Sequence, residues 1–485
     1  MDLLTWDERS ILTDNGYLPT PAHDRLEKPT EPIDLVGRYR GVLVGLGIGD
    51  ALAKPIQQLH WRLIEQRHGY VNRYLSAPID QFMLPPGQLT DDTQQAIMLA
   101  DSLASGSRLA PADVVKRFEA FLPVARTAGA ATLGAIRSLR NGTPWTHTGL
   151  PSAGNGALAR AVVPPLLHPF DLDAIRTSEA IHTVITHADH SAVAASVATG
   201  AVISHLLATP TGRLSPVALH KAIERAMVGV TDPVVSLRTE AASATLAERL
   251  ALAIDAPDLE PHQAYEKFGC GGFVLEALPL ALWAFVAHAD DPIATVVLAV
   301  SAGGASSTIG ALAGAFAGAY HGVGVFPDAW IDHLEYVDGL TGHADRLAER
   351  AGLEVPAPIH SRDPLLPSAY APFSLGGSIM PTLEHAIRSS SAPDPTTSVK
   401  VRLVPTPADA RRMAMLSPVR DDWVGAAPGL VSAILRRKFA DGQTDTLRLT
   451  SASTAEVHDA ARCMHGEPFD YAALLEEHRS SLAVG

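Results

Sequence analysis

The sequence has few cysteines, which limits the ways in which its fold can be held together. Its 485 residues include only Cys270 and Cys463, which cannot form a disulfide framework and lack the spacing of metal ligands. Residues 1–33 carry charges throughout and contain no apolar segment of the kind found in a signal peptide. We therefore expect a cytoplasmic protein that folds without disulfides.

The sequence also has few aromatic residues and no net positive charge. Aromatic side chains make up 6% of the sequence and hydrophobic residues 47%, so the core is built mainly from Ala, Val, Leu and Gly. This composition suits closely packed helices better than a β-sandwich. The formal net charge of −14 argues against nonspecific nucleic-acid binding and provides no basic stripe for an anionic membrane.

Charged side chains are absent between Asp291 and Asp328. The length of this segment would allow a membrane span, and its Gly-x-x-x-Gly-x-x-x-Gly pattern at 310–318 is typical of closely packed helices. Paired glycines and three hydroxyl residues at 303–308 divide the segment, however, and basic residues do not flank one side of it. We therefore expect buried, Ala/Gly-rich core helix rather than a transmembrane helix.

Apolar residues recur at helical spacing from Leu35 to about Leu353, and no alternating strand pattern is sustained there. Loops rich in Gly, Pro and His separate the apolar segments. The pattern predicts an all-α domain over residues 35–355. The predicted helical segments are 36–53, 92–105, 111–140, 156–168, 171–184, 190–208, 215–229, 233–253, 273–289, 292–303, 308–322 and 327–350.

The two segments that flank this domain differ from it in composition. Residues 1–34 are polar and contain several prolines, which predicts an extended N-terminal arm that packs on the domain or is mobile. Residues 356–398 are interpreted as a linker, because the stretch 389–398 consists mainly of Ser, Pro and Thr. A linker of this kind predicts few contacts across the domain boundary.

The remaining residues, 399–485, form a predicted C-terminal extension. Its segments 399–404 and 446–450 alternate like strands, whereas segments near 406–416 and 427–438 have helical spacing. We therefore expect a small α+β unit. It contains no catalytic motif. The role considered for it is binding of a protein partner.

The most informative motif is Leu89-Thr90-Asp91-Asp92-Thr93, which places a hydroxyl and two adjacent carboxylates at the start of an apolar helix. In one interpretation, Thr90 or Asp91 caps the helix and Asp92 lies in the first turn, where the helix dipole favours negative charge. In the other, all three side chains bind a Mg²⁺-like cation, which prefers oxygen ligands. These residues alone are compatible with both.

Three further loops precede predicted helices. Ser152-Ala153-Gly154-Asn155-Gly156 combines small residues with free backbone N–H groups, which suit a phosphate or a ribose. Thr186-His187 precedes an apolar helix, and a glycine-rich loop enters a buried helix at 268–276. Each of these could equally be a helix cap, a structural histidine or a flexible connection.

In this order, the motifs resemble the ADP-ribosylglycohydrolase family of all-α, two-magnesium hydrolases. The resemblance implies a compact orthogonal helical domain that cleaves the N- or O-glycosidic bond between ADP-ribose and an acceptor. The matching segments are Arg38-Tyr39-Arg40-Gly41, Gly49-Asp50-Ala51-Leu52, Leu89-Thr90-Asp91-Asp92-Thr93, Gly154-Asn155-Gly156, Thr186-His187, Gly272-Phe273-Val274-Leu275-Glu276, and Gly303-Gly304 with Thr308-Ile309-Gly310.

The resemblance also implies roles for individual residues. Asp91 and Asp92 would be catalytic, acting on a water that attacks the anomeric carbon through an oxocarbenium-like state. The implied metal ligands are Thr90, Asp91, Asp92 and Thr308. The implied ADP-ribose-binding residues are Ser152, Gly154, Asn155, Gly156, His187, Gly271 and Gly272.

The sequence departs from the family where the second metal ion would bind. Ala305 and Ser307 stand where the family's Asp-x-Asp-Thr motif has aspartates, and Gln57 ends a loop that in many relatives carries a glutamate. Two unit charges about 4 Å apart repel by roughly 4 kcal/mol at an effective dielectric near 20, so two adjacent carboxylates cannot offset two dications. We therefore expect one Mg²⁺ or none.

Two functions are compatible with this sequence. The first is an ADP-ribosylglycohydrolase-like hydrolase with a reduced metal site, acting on an ADP-ribosylated target with Asp91 or Asp92 as general base. The alternative is a catalytically inactive pseudoenzyme that binds ADP-ribose or an ADP-ribosylated target. In either case the partner is ADP-ribose or a molecule that carries it.

Overall fold

A computed structural model describes most of the chain up to residue 356 and the backbone of three strands beyond it. The described ranges are 4–21, 25–26, 28–29, 31–75, 86–106, 109–122, 125–237, 243–356, 398–403, 430–438 and 444–453. The chain divides into two compact units, which are described separately. The first unit contains the helices and the second the three C-terminal strands.

Seventeen α-helices make up the described part of the first unit, together with short 3₁₀ turns and one pair of two-residue antiparallel strands, β1 (Val235–Ser236) and β2 (Ser243–Ala244). This architecture confirms the predicted all-α domain. The helices are α1 (Trp6–Asp14), α2 (Leu35–Ala53), α3 (Trp61–His68), α4 (Asp91–Ser105), α5 (Pro111–Phe121), α6 (Ala130–Arg140), α7 (Pro164–Leu167), α8 (Leu172–Val184), α9 (His190–Ala208), α10 (Pro216–Met227), α11 (Leu246–Asp255), α12 (Pro261–Phe268), α13 (Val274–Ala287), α14 (Pro292–Ser301), α15 (Ser306–His321), α16 (Asp328–Ile331) and α17 (Val337–Arg350).

Direct backbone contact between α2 and α15 forms the centre of the first unit. The contact repeats every four residues, which is about one helical turn, and both helices are almost entirely buried. A Cβ atom added to Gly314 would lie 2.7 Å from the carbonyl carbon of Gly45, far inside normal contact distance. Only glycine allows this approach. The facing pairs are Gly41 with Gly318, Gly45 with Gly314, and Gly49 with Gly310.

The order of these pairs shows that α2 and α15 run antiparallel. The C-terminal end of α2, at Asp50, therefore lies beside the N-terminal end of α15, at Ser306. The Ser306 hydroxyl donates to the backbone carbonyl of Ala53 at 3.3 Å. This crossing brings together two segments that are some 250 residues apart in the sequence, and the candidate site is built at that end.

Helices without charged side chains contribute much of the apolar interior. The segment between Asp291 and Asp328 forms α14 and α15, with a loop between them, and is largely buried. Among the described helices, α9 alone has the length and hydropathy to cross a membrane, and 89% of its apolar window is buried within the protein. The glycines of the uncharged segment thus serve helix packing, as the sequence indicated.

Several predicted helices coincide with observed ones to within two residues, namely 36–53, 92–105, 171–184, 190–208, 273–289, 292–303 and 308–322. Others were too long. The segment 111–140 is two helices, α5 and α6, and the sequence carries a proline at position 123 that disfavours a continuous helix. The segment 327–350 is also two helices, because Tyr336 adopts a left-handed conformation with φ of 60°.

Two predicted helices were wrong over most of their length. The segment 156–168 consists of 3₁₀ turns that end in the short helix α7, which has two prolines in its first turn. The segment 233–253 contains β1 and β2, and only its end is helical, where Thr245 and Glu248 form a capping box at the start of α11. In both cases local turn and capping chemistry overrides the apolar spacing.

The N-terminal arm contains α1, which the sequence analysis did not predict. The Thr5 hydroxyl accepts from the backbone N–H of Glu8 at 3.2 Å, and the Glu8 carboxylate accepts from the N–H of Thr5 at 2.8 Å. This Thr-x-x-Glu capping box was visible in the sequence. Leu12 is buried, and the Trp145 indole donates to Glu8 at 2.7 Å, so the arm packs on the helical body.

The second unit is described as a three-stranded antiparallel sheet, with β3 (Ser398–Leu403), β4 (Leu430–Lys438) and β5 (Thr444–Ser453) in the order β3-β4-β5. The strands predicted at 399–404 and 446–450 are present. The helix predicted at 427–438 was wrong, because pairing on both sides makes this segment the central strand, and context of this kind overrides local spacing. The helix predicted near 406–416 lies outside the described residues.

The glycine contact predicts an asymmetric response to added methyl groups. Gly314→Ala should destabilise the protein by about 3 kcal/mol, since overlap with the backbone of Gly45 cannot be relieved by a side-chain rotation. Gly342→Ala in α17 is the matched control. Its Cβ would lie 3.6 Å from Arg346, an ordinary contact, and alanine favours the helix by about 0.5–1 kcal/mol. Urea unfolding followed by circular dichroism measures both; equal free energies of unfolding for the two variants would contradict the packing.

Candidate active site

The carboxylate of Asp50, near the end of α2, fixes the start of α4. It is fully buried and accepts from the backbone N–H groups of Thr90 and Thr93 at 2.8 and 3.3 Å, and from both hydroxyls at 2.6 Å. The Thr90 hydroxyl oxygen also accepts from the N–H of Asp92 at 3.2 Å, which caps the helix. Burial raises the pKa of Asp50, and these hydrogen bonds oppose the shift.

The capping interpretation of the motif therefore applies to Thr90, whose hydroxyl proton is committed to Asp50. The sequence analysis included Asp50 in a matching segment but gave it no role. The sequence pattern that could have identified Asp50 is the Gly49-Asp50 pair at the end of an apolar helix. This pattern indicates little unless the contact between α2 and α15 is known. Asp50 acts by positioning α4 and with it the two carboxylates that follow Thr90.

Asp91 and Asp92 occupy the first turn of α4 and are 8% and 5% exposed, respectively. Asp91 accepts hydrogen bonds from the Gln95 amide at 3.0 Å and from the Thr127 hydroxyl at 3.3 Å. Asp92 accepts from the Thr308 hydroxyl, which lies 3.2 and 3.1 Å from its two oxygens. The predicted residues Asp92, in α4, and Thr308, in α15, are thus in direct contact.

The ionised form of this carboxylate pair is disfavoured. Burial is the main cause that raises the pKa of Asp91 well above its ordinary value, and the charges of Asp92 and Asp50 raise it further. Burial, followed by the charge of Asp50, raises the pKa of Asp92 to about 7. A carboxylate that exchanges its proton near neutral pH is suited to general-base catalysis, and a bound cation would favour the ionised forms.

Thr127 is a site residue that the sequence analysis missed. It is β-branched and yet has a φ of 56°, in the left-handed region that such residues rarely adopt. The preceding Arg126 holds the loop over α4, because its carbonyl accepts from the N–H of Asp91 at 3.0 Å and its guanidinium binds Glu335 at 2.5 and 3.0 Å. Backbone strain beside a reactive carboxylate is typical of functional sites, and nothing in the sequence signals it.

Backbone hydrogen bonds connect the loops that the sequence analysis identified. They join the segments 57–60, 303–305, 270–274, 153–155, 149–150 and 186–188 into a continuous series of neighbours around the start of α15. The connecting bonds are Gln58 N–H to Gly304 O at 2.7 Å, Gly304 N–H to Leu59 O at 3.0 Å, Ala305 N–H to Cys270 O at 2.7 Å, Asn155 N–H to Gly272 O at 2.8 Å, Val274 N–H to Ala153 O at 3.0 Å, Leu150 N–H to Thr186 O at 3.1 Å and Ala188 N–H to Leu150 O at 2.9 Å.

The paired glycines at 303 and 304 make this arrangement possible. Their φ angles are 70° and 61°, so both lie in the left-handed region. A Cβ atom on Gly304 would lie 2.8 Å from the carbonyl carbon of Cys270. The chain passes between the loops at 57–60 and 270–273 only because neither residue carries a side chain.

His187 is buried beside the predicted glycine loop. Its Nδ1 lies 2.8 Å from the Thr186 hydroxyl, which accepts from the Arg160 guanidinium and lies 3.5 Å from the Thr183 carbonyl as well. In the tautomer whose Nδ1 accepts from Thr186, Nε2 is a donor. Burial, followed by the charge of Arg160, lowers the pKa of His187 to about 3, so the ring is neutral. A Cβ atom on Gly156 would lie 3.3 Å from Nε2, so glycine leaves space there.

Asn155 provides an unused hydrogen-bond donor in the same loop. Its side-chain nitrogen, Nδ2, is buried and has no hydrogen-bond partner among the described residues. The neighbouring Ser152 accepts from the N–H of Gly154 at 3.2 Å. A Cβ atom on Gly272 would meet only the Asn155 amide oxygen, at 3.6 Å. Because buried donors are almost always paired, Nδ2 indicates a ligand-binding position.

Arg160, also missed in the sequence analysis, links the two halves of the site. Its buried guanidinium donates to Gln95, whose amide holds Asp91, and to Thr186, which contacts His187. The remaining predicted residue, Gly271, donates its N–H to the Glu276 carboxylate at 2.8 Å, which fixes the glycine loop at the start of α13. The structure thus brings the predicted residues into one connected region.

Oxygen donors for a cation lie at the starts of α4 and α15. Among the residues that the structure describes, no group of three or more His, Cys, Asp or Glu side chains is arranged to hold a metal ion. Asp91 and Asp92, with the hydroxyl of Thr308, offer oxygens to one divalent ion. Beside Thr308, the Gln57 amide donates to the Ser307 hydroxyl at 3.2 Å, so an uncharged pair of side chains lies next to Asp92.

The chain is similar to several known proteins. The ADP-ribosylglycohydrolase family model matches residues 31–356. An uncharacterised protein of Archaeoglobus fulgidus is 29% identical over 314 residues, covering 64% of this chain and 96% of that protein. The ADP-ribosyl-[dinitrogen reductase] glycohydrolase of Rhodospirillum rubrum is 27% identical over 325 residues, covering 65% and 97%. A solved structure titled ADP-ribosylglycohydrolase-related protein complex is 27% identical, with a TM-score of 0.51, covering 66% and 99%.

The raised pKa of Asp92 predicts that this carboxylate costs stability in metal-free solution. The folded pKa of about 7 exceeds the ordinary value of 3.8, so the folded state loses stability relative to the unfolded state as pH rises from about 4 to 7. Asp92→Asn abolishes this titration. In EDTA, the stability of the variant relative to the wild type should rise by about 4 kcal/mol between pH 4 and pH 8. Urea unfolding at both values measures it; a constant difference would contradict the shift.

Proposed function

Because the chain belongs to the ADP-ribosylglycohydrolase family, we propose that it binds ADP-ribosylated targets at the connected loops and hydrolyses the glycosidic bond to the acceptor. One observation carries the proposal. The buried carboxylate pair with raised pKa values and the buried, unpartnered donor of Asn155 belong to one connected set of loops. The first feature suits proton transfer, and the second suits a polar ligand.

ADP-ribose offers hydrogen-bond acceptors, which are the partners that the donors of these loops lack. Its pyrophosphate and ribose oxygens accept hydrogen bonds, and the loops offer donors from the Asn155 amide and from His187 Nε2. Gly154, Gly156 and Gly272 lack side chains, so ligand atoms can approach the backbone. The neutral histidine is a suitable donor, because it adds no charge that would have to be desolvated.

In the proposed reaction, Asp92 accepts a proton from the water that attacks the anomeric carbon. The bond from that carbon to the acceptor nitrogen or oxygen breaks, and the acceptor leaves with a proton. In the metal-free site, Asp91 keeps its proton to higher pH than an ordinary aspartic acid and is suited to protonate the leaving atom. The Gln95 and Thr127 hydrogen bonds hold Asp91 in place during this step.

We propose that at most one Mg²⁺ takes part. Asp91, Asp92 and Thr308 would hold it, and when bound the ion would orient ligand oxygens and stabilise negative charge. The Thr90 hydroxyl is already bonded to Asp50 and to the N–H of Asp92, so it is a weaker candidate ligand than the sequence suggested.

The alternative function, a binder without turnover, is favoured by the hydrogen bond between Gln57 and Ser307. These residues stand where the family resemblance implies acids, and their neutral pairing leaves few ligands for a second ion. Both functions require ADP-ribose binding. They differ only in whether the reduced carboxylate set still supports hydrolysis.

Binding is the first test of the proposal. ADP-ribose should bind the wild type in isothermal titration calorimetry. Asn155→Ala and His187→Ala should each weaken binding by about 1–3 kcal/mol, because each removes a donor from a partly buried ligand oxygen. Asn141→Ala and His147→Ala, at exposed positions, are the matched controls and should leave the affinity unchanged. No heat at millimolar ADP-ribose would overturn both candidate functions.

Restoring the absent acids is the second test. Ala305→Asp with Ser307→Asp, and Gln57→Glu if needed, should create a second Mg²⁺ site. The backbone suits this change, because Ala305 is the N-cap residue of α15, a position that aspartate favours, and Ser307 already faces Gln57. Calorimetric titration with Mg²⁺ should give one more ion than in the wild type. Unchanged stoichiometry would show that the site has diverged in geometry.

A further inference from the structure

Lys54 places a positive charge beside the acidic pair. It begins a 3₁₀ turn directly after α2, and its backbone N–H donates to the carbonyl of Asp50. Its side chain is half-buried, and Nζ donates to the Gln57 amide oxygen at 2.8 Å. The charge of Lys54 lowers the pKa values of Asp91 and Asp92, against the larger effect of burial.

The side-chain amide of Gln57 connects Lys54 to α15 through two hydrogen bonds. Lysine can only donate, so the amide oxygen must face Lys54, and the amide nitrogen then faces the hydroxyl of Ser307 at 3.2 Å. Ser307 in turn hydrogen-bonds the carboxylate of Asp92. Lys54, Gln57 and Ser307 therefore form a connected polar chain that ends on the candidate base.

Gln57 is neutral, so its hydrogen bond positions the ammonium group without placing a carboxylate at position 57. Three buried carboxylates, those of Asp50, Asp91 and Asp92, lie in this region. The described residues provide no third acidic ligand beside Asp91 and Asp92 for a second divalent ion, and a fixed ammonium would repel one.

From these contacts, and resting on the proposed function, we propose that the Lys54 ammonium is a fixed cation of this cleft, in addition to the buried guanidinium of Arg160, and stands in for a second divalent ion in holding ADP-ribose. The ligand groups it suits are anionic or hydroxyl oxygens, to which an ammonium donates. It follows that ADP-ribose binding to this chain persists when divalent ions are removed. It also follows that the positive charge, rather than the shape of the side chain, is what the site requires.

Calorimetry with ADP-ribose in EDTA tests the role of the charge. The wild type should bind, Lys54→Met should bind at least tenfold more weakly, and Lys54→Arg should stay within about threefold of the wild type, because it keeps the charge. Lys221→Met, at an exposed position of α10, is the matched control and should bind like the wild type. Equal thermal stability of the variants shows that they fold. Binding by Lys54→Met within twofold of the wild type would overturn the inference.

A second measurement uses Mn²⁺ alone, followed by electron paramagnetic resonance. Removing a fixed cation beside Asp91 and Asp92 should favour a metal ion there, so Lys54→Met should bind Mn²⁺ at least tenfold more tightly than the wild type, and Lys54→Arg should not. Equal Mn²⁺ affinity in the wild type and Lys54→Met would overturn the inference. Because no ADP-ribose is present, this result stands apart from the proposed function, which is tested by ADP-ribose binding and turnover in the wild type.

Discussion

The contact between the glycines of α2 and α15 is the constraint on which the rest of the structure depends. Because the two backbones touch at three positions spaced about one helical turn apart, the end of α2 and the start of α15 are fixed against each other. Ala53 and Gln57 then contact Ser306 and Ser307, although the two segments are distant in sequence. The site is a consequence of this crossing. The Ala- and Gly-rich composition is what allows it, since a larger residue would separate the helices.

Hydrogen bonds connect this helix crossing to α4 and to the loops of the site. Asp50 anchors the first turn of α4 and so holds two carboxylates in a buried position where their charges are disfavoured. A side-chain network through Gln95 and Arg160 connects this acidic half to the loop of His187. Buried acids with raised pKa values and a strained Thr127 reduce stability, and such costs are typical of sites that are retained for chemistry or binding.

Much of this was predictable from the sequence, for identifiable reasons. Long apolar segments such as α2 and α9 were found because a helix that is buried on almost every side is apolar along its whole length. Thr90-Asp91-Asp92 was found because capping and oxygen-ligand chemistry both mark it. The central strand β4 was mistaken for a helix because only pairing with both neighbours makes it a strand. Asp50, Thr127 and Arg160 could not be assigned roles, because their partners lie in other segments and a left-handed φ leaves no mark in the sequence.

The claim most in need of measurement is that the acidic pair still cleaves the glycosidic bond of an ADP-ribosylated target. The direct measurement is turnover of ADP-ribosyl-arginine, followed by release of ADP-ribose, in EDTA and in Mg²⁺. The account predicts hydrolysis by the wild type above the uncatalysed rate, reduced at least a hundredfold in Asp92→Asn, since a general base contributes about 10²–10⁴-fold. Tight ADP-ribose binding without turnover, with or without Mg²⁺, would contradict it and would identify a binding protein built on a hydrolase fold.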